Sequence, residues 1–148
     1  MLTKIVSGGQ TGADRAGLDV GRERGLQLGG WCPKGRKAED GSIPLEYPLK
    51  ETDSAEYPLR TRLNVRDSDG TLGLMRTKLG RGSRLTVDHA KKIHKPVLVV
   101  DLDGGADVAA TRHWLLDSKI AVLNVTGSRE GWGRIYVAAI EFLRRVVT

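Results

Sequence analysis

The chain has 148 residues, a length suited to one domain burying roughly two thirds of its unfolded surface and too short for two independent cores. With 39% hydrophobic residues and 19 glycines, its composition excludes a disordered or fibrous protein, and no apolar run reaches the roughly 20 residues of a membrane span. Lys and Arg outnumber Asp and Glu by 24 to 18, a net charge of +6 that points to an anionic partner.

The first apolar run, residues 2–7, is rich in β-branched side chains and breaks at Gly8-Gly9, as a buried strand does. A helix is expected over 12–24, with Gly17 and Gly21 marking close backbone packing. Residues 26–32 read as a second, weaker strand, followed by a long polar loop from Pro33 that is a candidate lid. Ser54 caps a helix with Pro58 in its early turn. A third strand runs over 71–75, a helix over 83–94, and a continuously apolar fourth strand over 97–100 reads as covered on both faces. A helix over 106–118, a strand over 120–125 and a helix over 135–147 complete the chain, the last with Ile140, Leu143 and Val147 recurring at helical spacing.

Strand and helix alternate five times, because parallel neighbours need crossovers and crossovers are usually helical. The fold class is therefore α/β: a Rossmann-like domain over residues 1–148, with a mostly parallel sheet of five or more strands and helices on both faces. An N-terminus without a long apolar core makes a soluble cytoplasmic protein the expectation. Cys32, the sole cysteine, excludes an internal disulfide, and His89, His94 and His113 are spaced as helix-surface residues, so no metal site is expected.

In an open α/β sheet ligands bind beyond the carboxyl ends of the strands. The loops there are Gly8, Gly9, Gln10, Thr11, Gly12 and Asp14 after strand one, and Lys34, Gly35 and Arg36 after strand two. The loop from Arg76 to Arg81, Gly82 and Ser83 follows strand three, and the one from Asn124 to Arg129 follows the last strand. Small residues expose backbone amides, and each of these loops brings lysine or arginine, which together favour a phosphate or oxyanion site. The first loop is not G-x-G-x-x-G, and no acid ends strand two, so a dinucleotide is disfavoured. Residues 30–37 have P-loop glycine spacing but lack its lysine and hydroxyl, which disfavours ATP hydrolysis by that route. Asp67 and Asp69 read as turn formers. Asp101 and Asp103 either meet ribose hydroxyls or a cation, or cap the next helix. Trp31 either shields the pocket or packs in the core.

Residues 7–19 (Ser-Gly-Gly-Gln-Thr-Gly-Ala-Asp-Arg-Ala-Gly-Leu-Asp) carry a resemblance, together with Pro33-Lys34-Gly35-Arg36, Glu39-Asp40-Gly41, Arg60-Thr61, Asn64-Val65, residues 68–72 and Gly82-Ser83-Arg84-Leu85-Thr86. They resemble the molybdenum carrier family, a circularly permuted YpsA-like branch of the SLOG superfamily related to the lonely-guy, lysine-decarboxylase-like proteins. The match continues through Lys95-Pro96 to Leu123-Asn124-Val125. The resemblance implies a non-catalytic carrier that binds and protects molybdenum cofactor (molybdopterin), or another phosphorylated nucleotide-like ligand, with molybdoenzymes as recipients. A homo-oligomer is also expected.

On that reading the amides from Gly9 to Gly12, the hydroxyls of Thr11, Ser83 and Thr86, and the charges of Lys34 and Arg36 hold the phosphate or oxo groups. Arg60 matches the family motif, although a helical arginine is ordinarily solvated. Two departures stand out: Arg81 lies between Gly80 and Gly82 where relatives tend to pair glycines, and Ser128 stands where they tend to have proline. The lonely-guy hydrolase motif is absent verbatim, and its nearest carboxylate is Asp88, so the alternative is a phosphoribohydrolase acting on a nucleotide derivative. A basic nucleic-acid-binding module is the second alternative, weakened by an aromatic content of 5%. Gly9→Val is expected to abolish anion binding without unfolding the domain.

Overall fold

A computed structural model describes residues 1–76, 78, 80–131 and 134–148. Thr77 and Leu79, in the loop expected after the third strand, lie outside the described residues. In chain order the elements are β1 (Lys4–Val6), α1 (Ala13–Glu23), β2 (Gln27–Gly29), β3 (Trp31–Cys32), β4 (Lys37–Ala38), β5 (Gly41–Ser42) and β6 (Lys50–Glu51). There follow α2 (Tyr57–Arg66), β7 (Gly70–Met75), α3 (Arg81–Lys92), β8 (Val97–Asp101), α4 (Val108–Asp117), β9 (Val122–Gly127) and α5 (Tyr136–Val146).

Five strands form one sheet in the order β2-β1-β9-β7-β8, every pairing parallel, with Ile5 beside both Leu28 and Leu123, and Leu72 beside both Val125 and Leu98. This is the Rossmann-like α/β arrangement expected from the alternation of elements. One helical layer packs α1 on α5 and α5 on α4; a second packs α2 on α3. The main core lies under the first layer, where Ile5, Leu72, Leu74, Leu123 and Val125 meet Ala13, Ala16 and Val20 of α1 and Ile140 and Leu143 of α5. Gly17 admits that approach, since a Cβ there would lie 2.7 Å from the Cβ of Val125. The last strand to form in sequence, β9, inserts between β1 and β7, so the strand order reverses beside it. That reversal opens a crevice at the carboxyl ends of β1, β9 and β7.

Three expectations are corrected. The continuous second strand breaks at Gly30, whose φ of 128° belongs to glycine. A Cβ there would fall 2.2 Å from the Ser7 carbonyl oxygen. Beyond the break β3 leaves the main sheet and pairs with β6, while the Asn64 side chain accepts from the Trp31 amide at 2.7 Å and donates to the Trp31 carbonyl at 3.0 Å. The fourth strand, β8, is an edge strand, and only Val100 of its apolar run is fully buried. The long polar loop is a packed flap. Cys32, Ala38, Ile43, Tyr47 and Leu49 form a second small core against Leu18 of α1, and β4 pairs with β5 to close a short hairpin.

Candidate functional site

Charged and small residues that are far apart in sequence meet at the crevice. A cavity of about 220 Å³ is lined by Gln10 and Asp14 after β1, Arg60 of α2, Arg81 and Ser83 at the start of α3, and Arg129 after β9. Gly80, Gly82, Thr126, Gly127 and Ser128 complete the wall.

The loop after β1 is folded on itself. Ser7 Oγ accepts from the Gly9 amide at 3.2 Å, Asp14 Oδ2 from the Gln10 amide at 3.1 Å, and Gln10 Oε1 from the Thr11 amide at 3.1 Å. Three of the amides expected to cradle an anion are therefore already paired. Gly9 abuts the flap: a Cβ on it would lie 2.5 Å from Leu49 and 3.1 Å from Ile43. Valine there would disrupt the flap and its packing on α1, so the expectation of a folded, binding-dead Gly9→Val is replaced by one of lost stability. The Thr11 hydroxyl donates to Glu39 Oε1 and accepts from the Glu130 amide at 3.1 Å, which turns it away from the cavity. Gly12 abuts the Ser128 carbonyl.

Gly8 has a different use. An added Cβ would sit 1.6 Å from Arg60 Nη1, so its bare backbone is what lets the guanidinium lie across the loop. Arg60 is anchored over the Tyr57 ring at 5.3 Å and donates to Asp14 Oδ2 at 3.3 Å, while its Nε is buried with no partner among the described residues. The side chain is far from the solvated helical arginine expected from its element. Asp14 is 3% exposed, and burial pushes its carboxyl above the usual carboxylate range against the opposing pull of Arg60, the Gln10 N–H and Arg15. The loss of hydration outweighs the attraction of neighbours.

Gln10 holds the second orphaned donor. The residue is 6% exposed, and its Oε1 accepts from both the Thr11 amide and the Glu39 amide, the latter at 2.8 Å. With the oxygen fixed by two backbone donors, Nε2 is the end left over, and it has no partner among the described residues. Opposite, α3 follows Gly80 with no side-chain cap among the described residues. Arg84 makes the first helical bond, to Gly80 at 2.9 Å, so the amides of Arg81, Gly82 and Ser83 point out of the helix end without partners among the described residues. The positive end of a 12-residue helix thus faces the cavity. Ser83 Oγ donates to the Gly127 carbonyl across the crevice and ties α3 to β9. Thr86 donates back to the Gly82 carbonyl at 3.1 Å, within its own helix.

Other expected site residues lie elsewhere. Lys34 and Gly35 are exposed in the flap, outside the cavity wall. Arg36 turns inward and donates to the carbonyls of Ile43, Pro44, Tyr47 and Leu49, at 2.8–3.3 Å, so its charge closes the flap. These corrections share a cause: once β3 leaves the main sheet, the loop after it no longer sits at the sheet's carboxyl edge. Asp88 is exposed on α3 and does not line the cavity. Cys32 is buried in the flap core, and burial pushes its thiol up. Asp101 accepts from the Asp103 amide and Asp103 pairs with Arg76, while Asp107 caps α4 by accepting from Ala110 at 2.9 Å. Asp69 accepts from the Ala121 and Val122 amides at the head of β9, and Trp31 donates its indole N–H to Asp67. No group of three or more His, Cys, Asp or Glu is placed to hold a metal among the described residues, and no described helix is long and apolar enough to cross a membrane.

The wall residues Thr126 and Gly127 end β9 and Ser128 and Arg129 follow it, in a stretch the sequence marks as small and basic; Ser128 stands out in it only as a departure from the relatives' pattern. No curated protein matches the chain in sequence. Among solved structures, the chain is similar to one titled "Crystal structure of Putative molybdenum carrier protein" from Syntrophus aciditrophicus SB. The two are 43% identical, with a TM-score of 0.94, over 99% of this chain and 96% of that one. Residues 5–147 match the circularly permutated YpsA SLOG family, and the chain belongs to that family.

Proposed function

We propose that the protein is a carrier that grips a phosphorylated small molecule by its anionic end, with molybdenum cofactor as the cargo and molybdoenzymes as recipients. The observation that carries this reading is the orphaned Gln10 Nε2 in the cavity wall. A buried donor left unpaired costs about 1–3 kcal/mol, and an oxyanion in the cavity would relieve that cost at Gln10 and at Arg60 Nε together. The α3 amides, Arg81 and Arg129 add to the same field. At about 220 Å³ the cavity is smaller than the roughly 300–1,000 Å³ that enclose a whole ligand. It fits a phosphoryl or oxo group, the remainder of the cargo lying outside. The 43% identical structure named a molybdenum carrier supports the choice of cargo.

Calorimetry with inorganic phosphate tests the site. Gln10→Glu keeps an oxygen for the Thr11 and Glu39 amides but replaces the free donor by negative charge, and is expected to weaken phosphate binding at least about tenfold. Unchanged affinity in the folded variant would remove Gln10 from the site. Protection of released cofactor, read as reconstitution of a cofactor-free molybdoenzyme over time, tests the carrier role. Decay at the rate seen in buffer would refute it. One feature favours the hydrolase reading: Asp14 is a buried carboxyl in the cavity wall, raised above the usual carboxylate range by that burial. Release of free base from a nucleoside monophosphate, abolished by Asp14→Asn, would promote that reading.

A further inference from the structure

A carboxylate inside an anion cavity is a contradiction unless a proton resolves it. Asp14 is 3% exposed and lines the same wall as Gln10, Arg60 and Arg81. Its Oδ2 is committed to the Gln10 amide and to Arg60, whereas Oδ1 receives no hydrogen bond from the described residues. The charged groups around it are Arg60 from α2, Arg15 from its own helix, Arg81 at the start of α3 and Arg129 after β9. Arg15 is largely occupied by Asp40 of the flap, to which it donates at 2.6 and 2.8 Å, and Glu39 lies 4.0 Å from Arg129. Arg60 therefore faces both Asp14 and any anion that enters.

An oxyanion in the cavity would set a second negative charge close to Asp14 Oδ1. Two anionic oxygens at hydrogen-bond distance repel, and their pair is stable when one proton lies between them. We propose that the cavity holds its anion through one proton shared with Asp14, and so selects a protonatable phosphoryl group over sulfate or molybdate. This rests on the anion-binding reading of the cavity given above. The hydrogen bond is drawn either from an acidic phosphoryl O–H to Asp14 Oδ1 or from protonated Asp14 to a fully ionised phosphoryl oxygen, and the proton count is the same in both. Hydrogen phosphate brings the proton with it. Sulfate and molybdate carry none near neutral pH, so they must wait for Asp14 to take one from water. The burial that raises the Asp14 carboxyl works in the same direction as that uptake, which becomes more costly as pH rises. A site built around a hydrogen bond discriminates strongly against an analogue that cannot complete it.

Calorimetry with inorganic phosphate, sulfate and molybdate at pH 6, 7 and 8, at constant ionic strength, tests the proposal on the intact chain. The wild-type protein is expected to bind phosphate at least about tenfold more tightly than sulfate at pH 8. Sulfate and molybdate affinity should fall by up to about tenfold per pH unit as the required proton becomes scarcer. Asp14→Asn keeps a side-chain oxygen for the Gln10 amide and supplies a permanent donor. It should bring sulfate to within about threefold of phosphate and flatten the pH dependence. Equal wild-type affinity for phosphate and sulfate at pH 8, or a phosphate preference that survives Asp14→Asn, would overturn the shared proton while leaving the anion site standing. A wild-type protein that binds none of the three anions overturns the site itself. If Asp14→Asn fails to fold, the wild-type comparison between anions decides alone.

Discussion

Two glycine-bearing loops, one leading from β1 into α1 and one leading from β7 into α3, look alike as sequence and behave in opposite ways. The first is largely closed: the amides of Gly9, Gln10 and Thr11 are taken by Ser7, Asp14 and Gln10, and the amide of Ala13 by the Ser128 carbonyl at 3.1 Å. The second is open: the amides of Arg81, Gly82 and Ser83 at the start of α3 have no partner among the described residues, and these three residues line the cavity. The difference lies in what surrounds each glycine. Gly12, at φ 83°, would press a Cβ to 2.4 Å from the Ser128 carbonyl oxygen, while a Cβ on Gly82 would meet nothing within 4 Å. In the first loop Gly12 lets backbone pack on backbone, and Gly8 and Gly9 admit the side chains of Arg60, Leu49 and Ile43. Gly82, beside Arg81, leaves room for something else to enter.

The largest expected effect breaks the closed loop. Gly12→Val combines a left-handed backbone with a collision against the Ser128 carbonyl and the Glu130 amide, which no rotamer relieves. It should cost on the order of 3–5 kcal/mol, read as a lower midpoint in urea unfolding. Gly82→Ala should leave that midpoint within about 0.5 kcal/mol of the wild type, because alanine is the better helix former and the space is empty. Comparable destabilisation by both substitutions would erase the distinction between the loops.

The architecture was legible because apolar runs and helical repeats alternate along the chain, and a parallel sheet follows from that alternation alone. What escaped reading depends on contacts between distant residues. Arg36 and Arg60 are both cations in polar surroundings of the sequence. The first is consumed by four carbonyls within its own flap and the second is laid across Gly8. Nothing local separates them. Likewise the apolar residues Ile43, Tyr47 and Leu49 are scattered among prolines and charges, so their joint packing under Leu18 leaves no periodic signal. Gln10 stood in the first motif as one polar residue among small ones. Its importance comes from Glu39, 29 residues away, whose amide fixes its orientation.

Three cations sharpen the contrast between a basic loop that binds and one that folds. Arg36→Ala removes four charge-assisted bonds to flap carbonyls and should cost about 2–3 kcal/mol of stability, with phosphate affinity preserved in the folded fraction. Arg81→Ala should do the reverse, weakening phosphate binding about tenfold, since Arg81 is exposed at the cavity mouth and lies at the open helix end. Lys34→Ala should alter neither. A loss of phosphate affinity in Lys34→Ala would bring the flap back into the site.

The smallest effect concerns how the flap is held to α1 near the closed loop. Arg15 grips Asp40 with two nitrogens and also donates to the Gly9 carbonyl at 3.0 Å, so it joins the flap to the turn that follows β1. The Arg15 guanidinium holds the Asp40 carboxyl below its ordinary value of 3.8. A carboxyl that titrates lower in the folded state contributes its full stabilisation above that ordinary value and loses it as pH falls through the lower, folded one. Asp40 is 48% exposed, and an ion pair screened by that much water contributes about 0.5 kcal/mol or less. Asp40→Asn should therefore lower the unfolding midpoint slightly at pH 6, and the gap from the wild type should close below about pH 4. A gap that does not narrow at all as pH falls below about 4 would assign the effect to packing of the flap and not to the charge pair.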